Sequence, residues 1–368
     1  MNNYSIFDLN GRSVYLFQDF IDNLSEIDAI IFDVDGVLID SRNSYDKTIQ
    51  KTISYFASKY AEFKLPRSEI PEKIIYAFRN TGGFNSDWDT SYVILLGLLS
   101  FSLQHDLHLD PNFPLSSSTI SYNLEKYLLN IASFADHRGI ISVEEQLTPI
   151  SQDFVDEFSK FKRLLNYPGT LSNSLLVKVF DEFFLGVKYF TNIRGLDLEI
   201  NNENGLIENE SVIISNHTLE WLSKNIGYKK LGIASGRGSK TAAITLGPLF
   251  DYFDSNAAVF LEDEVLNSSN DVSGGSEKGK PAPYSLIKSS KYFDDSDSIL
   301  FIGDSAEDLI MAKNARKIDN RFNFAGVYGS SHSQKDRIDF FLKNNCDMGL
   351  YSVNDLPLIL SGELGDEA

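Results

Sequence analysis

The sequence predicts an α/β fold, a doubly wound parallel sheet, joined to a second domain that is entirely helical. Three observations carry that expectation. Short apolar runs rich in β-branched and aromatic residues recur at Ile27–Phe32, Leu231–Ala234, Ile299–Ile302 and near Asn323–Val327. Each has the length of a strand buried on both faces. Helical patterns separate the later runs, and strands alternating with helices imply a parallel sheet. From Arg42 to about Asn204 the alternation stops and only helical patterns remain.

The elements follow in order. Residues 1–26 form a lead segment in which Val14–Leu24 is expected to pair with or pack onto the core. In the insertion, Tyr45, Ile49, Ile53, Phe56 and Tyr60 recur at steps of four, four, three and four, one apolar stripe of a helix. Ile150, Phe154, Phe158, Phe161 and Leu165 do the same. Segments near 67–80, 88–104, 117–134 and 171–191 also read as helices. Aromatic stripes of this kind read as core rather than as a cofactor box. After the insertion the expected elements are a helix near 214–226, the Leu231 strand, a helix near 239–246 and a strand near 257–261. A Ser-, Gly- and Asn-rich loop spans Asn267 to Gly279. Next come a helix after the prolines, the Ile299 strand with its helix to about Ala315, the Asn323 strand, and a last helix near 335–344 before an acidic tail. The domains are therefore expected at 1–41 with 205–368, and at 42–204.

Composition bounds the class. The chain has 368 residues, 42% hydrophobic and 23% charged, enough for more than one core. Its single cysteine, Cys346, excludes an internal disulfide framework and a thiolate metal site, and fits a reducing compartment. No apolar stretch approaches the roughly 20 residues of a membrane span. Met1–Gly11 lacks the basic and then apolar pattern of a secretory signal. A net charge of −19 argues against nucleic acid and anionic membrane as partners. The same charge repels anionic substrates at long range, so cations at a site must act locally. A cytoplasmic protein acting on a small molecule is expected.

Chemistry concentrates at the ends of the apolar runs. Asp33 and Asp35 stand two residues apart directly after Phe32, with Gly36 behind them to let the chain turn. Ligands of open α/β sheets gather beyond the carboxyl ends of such strands. Alone, the string could be an ordinary turn rich in Asp and Gly. Three further strings follow: Ser235-Gly236-Arg237 after the Leu231 run, Gly279-Lys280-Pro281-Ala282-Pro283 in a loop, and Gly303-Asp304-Ser305-Ala306-Glu307-Asp308 after the Ile299 run. Each has a plain reading. Lys280 could be a solvated loop lysine, Ser235 or Ser239 a helix cap, and Asp304 with Asp308 a pair of acids at a positive helix end. All of these would have to hold at once.

Together the four strings resemble the four motifs of the haloacid dehalogenase (HAD) superfamily of phosphohydrolases, over roughly residues 27–42 and 210–350. The resemblance implies a Rossmann-like core with a C1-type cap inserted after the first core strand, here an unusually long one. It implies that Asp33 is a nucleophile forming an aspartyl-phosphate. Mg²⁺ then neutralises the facing anions, held by Asp33 and Asp304, by the backbone carbonyl of Asp35, and by Asp308 through water. Lys280 supplies a point charge to phosphate and nucleophile. Ser235, with Gly236 and Arg237 beside it, cradles the phosphate. Asp35 protonates the leaving alcohol and then deprotonates the attacking water. An aspartate two residues after the nucleophile marks the phosphatases and phosphomutases of the family and is lacking in its dehalogenases and P-type ATPases. A phosphomonoester is therefore the expected substrate.

The insertion holds one unusual string, Thr81-Gly82-Gly83-Phe84-Asn85-Ser86-Asp87-Trp88-Asp89. Structurally, its glycines can end one helix and Asp87 or Asp89 can cap the next. The string also resembles a segment of a C1-capped HAD subfamily sometimes associated with histidine biosynthesis. That likeness implies a small metabolite and makes Phe84, Asn85 and Trp88 candidates for contact with its leaving group. His105 and His108 read as surface residues. The expected protein is a Mg²⁺-dependent phosphatase of a small phosphorylated metabolite. A phosphomutase sharing every core residue, and a non-catalytic phosphometabolite- or partner-binding module, stand as alternatives.

Overall fold

The computed structural model describes residues 3–67, 69–84, 86–104, 117–147, 152–169, 172–267, 278–331 and 333–364. They fall into two compact units: residues up to Ser41 with Glu210–Asn267 and 278–364, and Arg42–Asn209. No helix among the described residues is long and apolar enough to cross a membrane.

The first unit is built on an eight-stranded sheet. In chain order its strands are β1 (Tyr4–Leu9), β2 (Arg12–Phe17), β3 (Ala29–Phe32), β4 (Leu231–Ser235), β5 (Ala258–Phe260), β6 (Ile299–Gly303), β7 (Phe322–Val327) and β8 (Met348–Leu350). In space they run β1-β2-β8-β7-β6-β3-β4-β5. From β8 to β5 every pairing is parallel, while β1 and β2 add an antiparallel edge. β3 has a neighbour on each side, with Ile31 opposite Phe301 and Gly232. Its alternate residues feed two cores. Ile30 and Phe32 join Leu219, Ile233 and Ile302 on one face, and Ala29 and Ile31 join Leu286, Phe324 and Phe341 on the other. All four residues of the strand are buried, which is why it reads as an unbroken apolar run.

The lead segment pairs with the core as expected and goes further, and the end of the chain needs correction. The lead segment is a complete hairpin on the sheet edge. Asn10 and Gly11 have φ of 57° and 79°, the two positive values of a type I′ turn, which Asn-Gly adopts at low cost. The signal lies in the sequence and is overlooked when the segment is taken as a mere lead-in. The chain also continues past the helix Gln334–Lys343 into β8 and the short helix Leu356–Leu360. A three-residue strand is too short to show periodicity.

The second unit is helical in its described residues: Tyr45–Lys59, Glu72–Arg79, Asp87–Gln104, Ser117–Phe134, Ile140–Gln146, Gln152–Leu165 and Leu175–Arg194. The helix expected near 67–80 begins only at Glu72, because Pro71 occupies the N-cap with φ −62° and ψ 142° and has no N–H to donate. The helix expected near 171–191 begins at Leu175, where the Ser174 hydroxyl caps the Val177 N–H at 3.3 Å, and it kinks at Gly186. Asp87–Gln104 is the axis of this unit, buried at every position from Asp89 to Ser102. A helix apolar all round belongs inside, and its inward polar groups are satisfied. The Ser100 hydroxyl meets that of Tyr127 at 2.7 Å, the Tyr92 hydroxyl donates to Glu144 at 2.6 Å, and Asp89 accepts from Tyr167. His105, His108 and the loop residues 268–277 lie outside the described residues.

Candidate active site

The four motif strings come together in the first unit, at the carboxyl ends of adjacent strands. Asp33 follows β3 directly, and its N–H donates to the Ile302 carbonyl at 2.8 Å. That bond extends the ladder by one residue and sets the side chain beside Gly303 and Asp304. The chain then turns tightly: the Val34 carbonyl accepts from Leu38 at 2.8 Å and Ile39 at 2.9 Å, and Gly36 donates to the Ile39 carbonyl at 2.8 Å. Gly36 sits at φ 75°, and a β-carbon there would lie 2.2 Å from Oδ2 of Asp304. Only glycine suits both demands. Asp304 leads from β6 into the helix Ala306–Arg316, whose N-cap Ser305 and Asp308 form a reciprocal capping box.

Carboxylates outnumber cations here. Oxygens of Asp33, Asp304 and Asp308 lie within 4.8 Å of one another. Lys280 Nζ stands 2.9 Å from Asp33 Oδ2 and 2.7 Å from Asp308 Oδ1. Burial pushes Asp33 up to about 7; Lys280 opposes the shift, while Asp308, Asp304 and Asp35 add to it. Burial likewise pushes Asp304 up to about 6. For Lys280 burial works against the charge, but Asp308 and Asp33 outweigh it and hold the amine above its usual range.

A buried excess of carboxylate is what a divalent cation relieves, and an all-oxygen donor set suits Mg²⁺. The residues present fit that ion unequally. Asp308 is the least available, since its Oδ2 accepts from the Asp304 N–H at 3.2 Å, the Ser305 N–H at 3.0 Å and the Ser305 hydroxyl at 2.7 Å. Its Oδ1 faces Lys280. Asp33 and Asp304 could hold such an ion directly, while Asp308 bonds the loop and the lysine.

The second aspartate has a different neighbourhood. Asp35 Oδ1 accepts from Arg237 Nη1 at 2.9 Å, and Arg237 Nη2 donates to Glu210 at 2.6 Å. The Arg237 side chain is 0% exposed and its guanidinium lies between the carboxylates of Asp35 and Glu210. Ser235 ends β4, is buried, and its hydroxyl accepts from the Arg237 N–H at 3.3 Å. Gly236 beside it is exposed, with open space where a side chain would be. Sequence reasoning passed over Glu210, Glu307 and Arg337. Glu307 is an acid inside a motif string, and burial followed by Asp308 pushes it up to about 8. Arg337, on the helix Gln334–Lys343, favours the charged form of Asp304, and no local pattern marks it. Glu210 precedes β4 with no motif of its own.

The string of the second unit is placed within that unit's own packing. Phe84 is buried and meets Phe78 edge to face at 5.3 Å. Trp88 Nε1 donates to Asp181 at 3.0 Å, and Asp181 pairs with Arg194 at 2.6 Å. Asp87 binds Arg79 at 2.7 Å. Asn85 lies outside the described residues.

A family model for haloacid dehalogenase-like hydrolases matches residues 27–316. The chain belongs to this hydrolase family. The match runs from before Asp33 to beyond Asp308 and takes in the helical unit between β3 and β4. No curated protein matches the sequence. Among solved structures, this HAD-like hydrolase is similar to the phosphatase Tt82 from Thermococcus thioreducens at 22% identity, over 86% of this chain and 97% of that one, with a TM-score of 0.51. It is also similar to a structural-genomics crystal structure at 20% identity, over 92% of this chain and 99% of that one, with a TM-score of 0.58. Likeness at these identities speaks for a shared fold.

Proposed function

We propose that this hydrolase is a Mg²⁺-dependent phosphatase that cleaves a small phosphomonoester through an aspartyl-phosphate on Asp33. The observation that carries the reading is the division of partners between two aspartates two residues apart. Asp33 faces Lys280 among buried carboxylates, and Asp35 faces Arg237. The first is equipped to be a nucleophile under a cation, the second to move a proton.

In the first step an oxygen of Asp33 attacks phosphorus, the bond from phosphorus to the leaving oxygen breaks, and Asp35 gives that oxygen its proton. In the second, Asp35 takes a proton from water as the water attacks phosphorus. The Asp33–phosphoryl bond breaks and the carboxylate returns. Lys280 keeps its charge against the transferring group throughout, and Ser235 with the Gly236 N–H is assigned to the phosphoryl oxygens. Asp33 and Asp304 would hold Mg²⁺, which would supply the remaining neutralisation. The helical unit, standing in the chain between β3 and β4, is assigned the exclusion of water and the choice of leaving group. A single cysteine suits a reducing cytoplasm.

The test is hydrolysis of a panel of small phosphomonoesters with Mg²⁺ and with EDTA. Phosphate release that stops in chelator and returns with Mg²⁺ is expected. Full turnover in chelator would contradict the assignment.

A further inference from the structure

Arg237 is spent on protein rather than offered to a ligand. Its side chain is 0% exposed, and so is that of Glu210. Nη1 donates to Asp35 Oδ1 at 2.9 Å, Nη2 to Glu210 Oε2 at 2.6 Å and to the Thr241 carbonyl at 3.2 Å, and Nε to the Thr241 hydroxyl at 3.2 Å. Glu210 is itself anchored by the Thr245 hydroxyl at 2.5 Å. The Asp35 carboxylate, one third exposed, is the end of this chain of bonds that carries the proposed chemistry. Its Oδ2 has no protein partner among the described residues.

We propose that Glu210 and Arg237 form a buried positioning pair that fixes the Asp35 carboxyl for proton transfer. The inference rests on the acid–base reading of Asp35 and deepens it. A guanidinium is a rigid, planar fork that keeps its charge at any ordinary pH, so it orients without exchanging protons. Here the fork is divided between two carboxylates. It therefore holds Asp35 at one oxygen instead of gripping both through parallel bonds. The held oxygen sets the plane of the carboxyl and the other is left to the reacting group. A buried arginine with one carboxylate already satisfied has little freedom, which is what holding a second group to a fraction of an ångström requires.

Leaving-group dependence separates positioning from mere structure. An alkyl phosphate needs its leaving oxygen protonated, whereas p-nitrophenyl phosphate releases p-nitrophenolate, a stable anion. The comparison uses kcat/KM, which reports events up to departure of the leaving group. The Asp35→Asn variant is expected to lower the alkyl-to-aryl ratio of kcat/KM by about 10²-fold or more. Arg237→Gln should lower the same ratio by about 10-fold or more, Arg237→Lys should recover part of it, and Arg237→Gln should add little in the Asp35→Asn background. Should the glutamine variant not fold, Arg237→Lys carries the same comparison against wild type, because it keeps a charge beside Glu210 and loses only the fork. Equal losses on both substrates, or a ratio change that persists undiminished without Asp35, would overturn the proposal alone. A normal ratio in Asp35→Asn would overturn the acid–base reading and the proposal with it.

Discussion

A β-carbon on Gly36 would stand 2.2 Å from Oδ2 of Asp304. The turn behind the first aspartate and the carboxylate beyond β6 are shaped to each other, though 268 positions of chain separate the two residues in a sequence of 368. Gly36→Ala must push Asp304 aside and hold alanine at φ 75°, a conformation costing about 1–2 kcal/mol. The expected outcome is a loss of about 10–100-fold in apparent Mg²⁺ affinity, read by titrating activity with the ion. An unchanged Mg²⁺ titration would show that Asp304 does not hold it.

Stability should depend on pH in a way that Mg²⁺ reverses. Burial raises Asp33 from 3.8 to about 7 and Asp304 from 3.8 to about 6. Between those limits the folded, metal-free protein binds more protons than the unfolded chain, so its stability falls as pH rises through the window. Mg²⁺ replaces the protons, and its stabilising effect should be larger at about pH 8 than at about pH 5. Melting temperatures with and without Mg²⁺ at both values check this, with Asp304→Asn as a control that flattens the difference. An equal shift at both pH values would contradict it.

Trp88 donates to Asp181, a carboxylate 2% exposed that also pairs with Arg194. Trp88→Phe keeps an aromatic ring and removes the donor. It is expected to lower unfolding free energy by about 1–3 kcal/mol, the usual effect of leaving a buried acceptor short of a partner. Urea unfolding measures it. A change under about 0.5 kcal/mol would mean that the indole does not hold this carboxylate.

How legible all this is in the sequence differs by element. β3 and β6 are readable because a strand buried on both faces must be apolar throughout, and Asp33 and Asp304 stand out against that background. The helix Asp87–Gln104 is readable for the same reason, being sealed on every side. The β1–β2 hairpin is readable too, through Asn10-Gly11, but only if the lead segment is searched for turns. Arg237 is another matter. Its string identifies the position, while its role depends on Glu210, 27 residues upstream, which no local pattern connects to it. Side-chain partners set by tertiary packing leave no period and no spacing to read. Arg337 and the short β8 are hidden for the same reason.

The central claim is that Asp33 carries the phosphoryl group. Rapid quenching during turnover of a reactive aryl phosphate, followed by peptide mass analysis, tests it most directly. The account predicts a peptide containing Asp33 heavier by one phosphoryl group, labile to hydroxylamine as an acyl phosphate is, and absent in Asp33→Asn, which should also lose turnover while keeping its fold. A phosphoryl group found on another residue, or full turnover by Asp33→Asn, would contradict it.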